Sequence, residues 1–160
     1  MTTATVLAIG LAAAAGLGAP AAQAETVKAG AADGGFILCG PLTGLPNEPN
    51  SKANACLSNT AGTLNSWGRV DFASPQPSGW TGCLMNVGLY SVASDNTETL
   101  IASGTQQNCQ TAAQTSSSVS ASVAIPFQPG TYRTKTAVFS QYLGQASWSD
   151  VAWSPVVIVW

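Results

Sequence analysis

The sequence predicts an all-β fold, an antiparallel sandwich of seven to eight short strands, and three observations carry that prediction. Apolar and polar residues alternate with a period of two in several separate stretches. Turn-forming residues punctuate those stretches at the roughly 8–12-residue spacing of sandwich folds. Beyond the first 24 residues, no segment holds a 3.6-residue apolar period long enough to predict a helix.

Residues 1–24 stand apart from this pattern. Val6 to Leu17 is an apolar run of small residues, and Ala22-Gln23-Ala24 is the small-x-small pattern after which signal peptidase cuts. Met1-Thr2-Thr3, ahead of the run, carries neither Lys nor Arg. The run is too short and too rich in Ala and Gly to cross a bilayer of roughly 30 Å, and no basic flank follows it. The expectation is a cleaved signal peptide and a secreted, extracellular product starting at Glu25, with no membrane attachment. Residues 25–34 are rich in Ala and Gly and read as a flexible leader; 35–160 reads as one β-sandwich domain.

Export makes Cys39, Cys56, Cys83 and Cys109 a disulfide framework. Of the three possible pairings, Cys39–Cys56 and Cys83–Cys109 are expected, because each brackets one continuous excursion of the chain. Each such loop is worth roughly 3 kcal/mol in the chain-entropy model. With no CxxC and no histidine, neither a metal nor a cofactor is expected.

The clearest strand is 116–125, where Val119, Ala121, Val123 and Ile125 face one way and Ser116, Ser118, Ser120 and Ser122 the other. In 83–92, Cys83, Met85, Val87 and Leu89 share a face. In 62–72, Leu64, Val70 and Phe72 share one, which turns Trp67, Arg69 and Asp71 to the opposite side. Ser94-Asp95-Asn96-Thr97 predicts a turn into a short strand at 99–103. Pro75-Gln76-Pro77-Ser78-Gly79 separates two strands, and Leu143-Gly144-Gln145 closes a hairpin between 131–142 and 146–159. Pro126-Phe127-Gln128-Pro129-Gly130 cannot continue a ladder and predicts a crossover between sheets.

Pro129-Gly130-Thr131-Tyr132-Arg133-Thr134, just after that crossover, resembles the start of strand F in immunoglobulin-like domains. The resemblance covers roughly 62–159 and implies an immunoglobulin-like sandwich with a tyrosine that bonds back to the main chain. The chain departs from true immunoglobulins at Thr134, where their inter-sheet cysteine lies. The signal peptide and Ser/Thr-rich sandwich also resemble small secreted actinobacterial proteins, many without assigned function, a likeness that implies no residue roles.

Charged residues make up 8% of the chain, against about 25% typically, and the net charge is −2. No basic stripe is available to neutralise phosphates, which argues against nucleic acid. The absence of histidine removes Ser-His-Asp and Cys-His chemistry together. Paired carboxylates remain conceivable for glycoside hydrolysis, with Glu48, Asp71, Asp95, Glu98 and Asp150 as candidates, but nothing in the sequence brings two together. Arg69 and Asp71, two apart on one strand face, predict a surface ion pair.

A non-catalytic binding or adhesion module for an extracellular protein or polysaccharide is the expected function. The proposed binding residues are Trp67, Arg69 and Asp71, on a face that carries no core residues. Ring faces attract the CH-rich faces of sugars, and Trp67 is the best placed of the five tryptophans. Trp148 and Trp153 flank Asp150 and differ by five positions, so at most one faces the core in a regular strand. A protease inhibitor presenting a cinched 40–55 loop, with Leu42 and Leu45 exposed, is the alternative. A histidine-free glycoside hydrolase is third.

Overall fold

Two sheets pack face to face because the long strands Thr63–Asp71, Trp80–Val92 and Gly130–Tyr142 each present a buried row on one side. The computed structural model describes residues 26–29, 35–46, 48–76 and 80–160, and of Glu48 and Pro49 the backbone alone. The expected signal peptide lies outside the described residues, as does Pro77-Ser78-Gly79.

In chain order the strands are β1 (Thr26–Ala29), β2 (Phe36–Cys39), β3 (Thr43–Leu45), β4 (Glu48–Thr60), β5 (Thr63–Asp71), β6 (Trp80–Val92), β7 (Glu98–Ser103) and β8 (Gln107–Asn108). A short helix, α1 (Gln110–Gln114), precedes β9 (Ser118–Pro126), β10 (Gly130–Tyr142), β11 (Gln145–Trp153) and β12 (Val156–Val159). The seven-stranded sheet runs β1-β12-β10-β6-β7, with β11 also on β10 and β8 also on β6. The five-stranded sheet runs β2-β4-β5-β9, with β3 also on β4. The chain leaves the first sheet after β8, passes through α1 into β9, and returns through 127–129 to β10, so the expected Pro-rich crossover is present.

Parity builds the core. In β5, Leu64, Ser66, Gly68 and Val70 are buried, and in β6 Cys83, Met85, Val87 and Leu89 meet them from the other sheet. Leu57, Leu64, Val70, Met85, Val87, Leu89 and Val157 are fully enclosed, each worth roughly 1.5–3 kcal/mol of burial. Thr134, where an immunoglobulin would have its cysteine, is 0% exposed. The Tyr132 hydroxyl donates to the Gln128 carbonyl at 3.1 Å, the return bond that the strand-F resemblance implies.

Both expected disulfides form. Cys39 and Cys56 are direct partners across β2 and β4, with Cα atoms 4.0 Å apart. Cys83 in β6 holds Cys109, at the entrance to α1, with Cα atoms 5.0 Å apart.

Four expectations are corrected. Thr26–Ala29, read as leader, form β1 and pair in parallel with β12, burying Ala29. The segment 40–55 is no protruding loop: Thr43–Leu45 and Glu48 onward are strands, and Leu45 is 4% exposed in the core while Leu42 alone stays out at 64%. Helix α1 exists, but five residues burying only Ala112 and Ala113 are too few to leave a periodic signature. Twelve strands are present among the described residues rather than seven or eight. The extra ones come from the N-terminal third, the short β8 and the break of the last strand at Ser154-Pro155.

Candidate functional site

The β5 ladder is free of register shifts on both sides, so Trp67 keeps the parity of its strand and points away from the core. Gly68 next to it makes this possible. A Cβ there would collide with the Thr136 hydroxyl arriving from the opposite sheet, so only glycine lets the sheets approach so closely at this point. Trp67 is half-buried, lying between Cys56 of β4 and Ser122 of β9 in register. Around it lie Asn54, Asn65, Ser120 and Ser122, and the expected ion pair forms, with Arg69 Nε 2.7 Å from Asp71 Oδ1. Both charged side chains are about half exposed, 50% and 47%, so the pair adds little stability.

The other outer face holds more exposed aromatic surface, and a bulge creates it. Along the β10–β11 ladder, Ala137 pairs with Asp150 but Thr136 pairs with Ala152, leaving Val151 as an extra residue. Without that residue, Trp148 and Trp153 would point to opposite sides. With it, Trp148 pairs with Phe139 and Trp153 with Lys135, both on the outward row of β10. Trp148 and Trp153 are 47% and 39% exposed, so neither faces the core. Trp148 packs on Phe139 with ring centroids 5.6 Å apart. Leu100 of β7, 51% exposed, lies on the same face beside Tyr90.

Between these apolar groups lies a compensated ion network. Glu98 accepts from both Arg133 Nη1 and Lys135 Nζ at 2.6 Å, and Lys135 Nζ reaches Asp150 Oδ2 at 3.3 Å. The same ammonium sits 4.8 Å from the centre of the Tyr90 ring, a cation–π contact. Burial raises the Glu98 pKa, but the hydrogen bonds and charges of Lys135 and Arg133 outweigh it and leave the carboxyl below its ordinary value. Burial lowers Lys135, and Glu98 and Asp150 more than reverse that, so its value is raised. Tyr90 is raised, first by burial and then by the Asp150 charge.

Glu98 and Asp150 therefore do converge, against expectation for residues so far apart in sequence. Both bond the same Lys135 ammonium, so their bonding oxygens lie no more than about 6 Å apart, as close as the carboxylates of a glycosidase pair need to be. Lys135 occupies the space between them, however, and Glu98 is held ionised, the reverse of what a general acid needs. Asp95 instead caps its own turn, accepting from the Thr97 N–H at 2.9 Å, which lowers its pKa. A cavity of 110 Å³, lined by Leu45, Trp80, Val138, Val151 and three serines, is well below the ~300 Å³ of ordinary ligand pockets.

No family model matches this chain, and no curated protein matches it either. Two solved chains do match. One is the KRT10-binding region domain of the pneumococcal serine-rich repeat protein PsrP, at 10% identity over 74% of this chain and 97% of that one. Its TM-score of 0.34 is too low to transfer a ligand or a residue role.

Proposed function

We propose that this chain is a secreted, non-catalytic binding module that holds an extracellular partner on the outer face of its seven-stranded sheet. The carrying observation is the bulge at Val151, which places Trp148 and Trp153 together on that face at the cost of their burial. Leaving nearly half of each indole in water forfeits roughly 1–3 kcal/mol of possible burial in total, and exposed apolar patches of this kind mark interaction surfaces. Secretion is supported by the two disulfides, which persist in oxidising compartments, and by β1, which starts two residues after the expected cut at Ala24 and survives it intact. Mass spectrometry of secreted material beginning at Glu25 tests this; intact residues 1–24 would refute it.

Binding of the labelled chain to immobilised extracellular proteins and polysaccharides tests the face. The double variant Trp148→Ala/Trp153→Ala is expected to bind at least tenfold more weakly with a nearly unchanged melting temperature. Equal binding by the variant would refute the assignment.

A second reading keeps recognition but moves it to Trp67, Arg69 and Asp71. The unbroken parity of β5 favours it, since it leaves one indole among amides, hydroxyls and an ion pair. Trp67→Ala then weakens binding at least tenfold without loss of stability, whereas a stability loss with unchanged binding marks Trp67 as packing. An inhibitor acting through 40–55 has little to present, because among the described residues ahead of the turn at Pro46 only 40–42 stays outside the strands, and Leu45 is enclosed.

A further inference from the structure

We propose that the ligand of the outer face of the seven-stranded sheet is an uncharged polysaccharide lying along β11, stacked on Trp148 and Trp153 and hydrogen-bonded by Asp150 between them. This rests on the face assigned above and adds what that face takes. Three features of the site select the ligand.

The first is spacing. The register partners of Trp148 and Trp153, Phe139 and Lys135, are four positions apart on β10. At ~3.3 Å per residue the backbone positions that carry the two indoles stand roughly 13 Å apart along the strand. One sugar ring cannot touch both, so the site fits a chain of several.

The second is charge. Arg133 and Lys135 are matched by Glu98 and Asp150 within one network. The face therefore projects no field that would draw a polyanion, and the whole chain is slightly acidic at −2.

The third is desolvation. Asp150 lies between the two indoles and its partner Lys135 stands opposite Trp153, so a protein surface covering both rings would have to dry that ion pair, which costs several kcal/mol unless every group is re-paired. A polyhydroxylated chain has the opposite effect, because its hydroxyls replace the water on the carboxylate. Asp150 is 41% exposed at its side chain and bonds Lys135 through Oδ2. Its Oδ1 takes no bond from any described residue and is available to a sugar hydroxyl. Side chains of the same face lie over its glycines, Phe139 and Gln141 over Gly82 and Tyr90 and Leu100 over Gly88. A Cβ at Gly88 would come 2.7 Å from the Tyr90 ring and lift it.

Affinity electrophoresis of the full chain, through gels containing hydroxyethyl cellulose, glucomannan or soluble starch and, separately, alginate or heparin, tests the proposal. At least one uncharged polymer is expected to retard the chain, and retardation should persist in about 0.5 M salt. Trp148→Ala or Trp153→Ala should raise the dissociation constant at least tenfold, Asp150→Asn threefold or more, and Trp148→Tyr should retain part of the affinity. Retardation by the anionic polymers alone, by no polymer, or equally by wild type and Trp148→Ala/Trp153→Ala would overturn it. Immobilised extracellular proteins separate the two levels of failure. If they bind the wild type and lose the double variant, the face stands and the glycan falls; if the double variant binds everything as the wild type does, the face falls too.

Discussion

The Thr136 hydroxyl, on the seven-stranded sheet, donates to the main-chain carbonyl of Asn54 on the five-stranded sheet at 2.8 Å. It crosses the sandwich over Gly68, the one residue that leaves room for it. Gly68→Ala is expected to destabilise the fold by about 1–3 kcal/mol through overpacking. Thr136→Ala, which removes the colliding oxygen, should relieve part of that cost, so the double variant is less unstable than the sum of the single ones. Urea unfolding of all four proteins checks the coupling; strict additivity would show that the two residues do not meet.

Glu98 sets the pH range of the ion network. Its folded pKa lies below the ordinary 4.5, so its contribution is present above that value and is lost as pH falls through the lowered one. Lys135 lies above the ordinary 10.5, so its contribution is present below that value and is lost as pH rises through the raised one. The melting temperature of the wild type is expected to exceed that of Glu98→Gln across the neutral range. The gap should narrow as pH falls below the ordinary 4.5, close once it has passed the lowered value, and shrink again in strong alkali. A gap independent of pH would mean that the network contributes packing alone.

Thr134 is buried with its hydroxyl unpaired, while its backbone exchanges two bonds with Ser154, at 2.9 and 3.0 Å. Thr134→Val keeps the shape and removes the orphaned oxygen, and should stabilise the domain by about 1 kcal/mol. A loss of similar size in urea unfolding would reveal a partner for that hydroxyl.

Tyr132→Phe deletes the bond to the Gln128 carbonyl and leaves the ring in place. A loss of about 1 kcal/mol is expected, with binding to any partner unaffected, since Tyr132 is 7% exposed.

Strand parity is legible in this sequence because a period of two repeats within a few residues, which is how Leu64, Val70 and Phe72 assign Trp67 to the outer face. Both disulfides were legible for a similar reason, each closing a local excursion. What stayed hidden is non-local or irregular. The bulge at Val151 depends on how β11 pairs with β10 and leaves no mark in the alternation of 145–153, so Trp153 reads as facing away from Trp148. Glu98, Arg133, Lys135 and Asp150 come from three strands, and only the sheet brings them together. Leu45 lies in a Pro- and Gly-rich stretch whose composition reads as exposed loop, although β3 carries that leucine inward. Thr26–Ala29 is four residues long, and its pairing with β12 is set by the far end of the chain.

That last pairing gives the domain a mechanical direction. β1 and β12 run parallel, Thr26 beside Val156 and Ala29 beside Val159, so the chain enters the pair at one end and leaves it at the other. Tension applied through the two ends of the domain slides these strands past each other instead of peeling them apart. Their hydrogen bonds then bear the load together, as rivets do in a lap joint, rather than one after another as in a zipper.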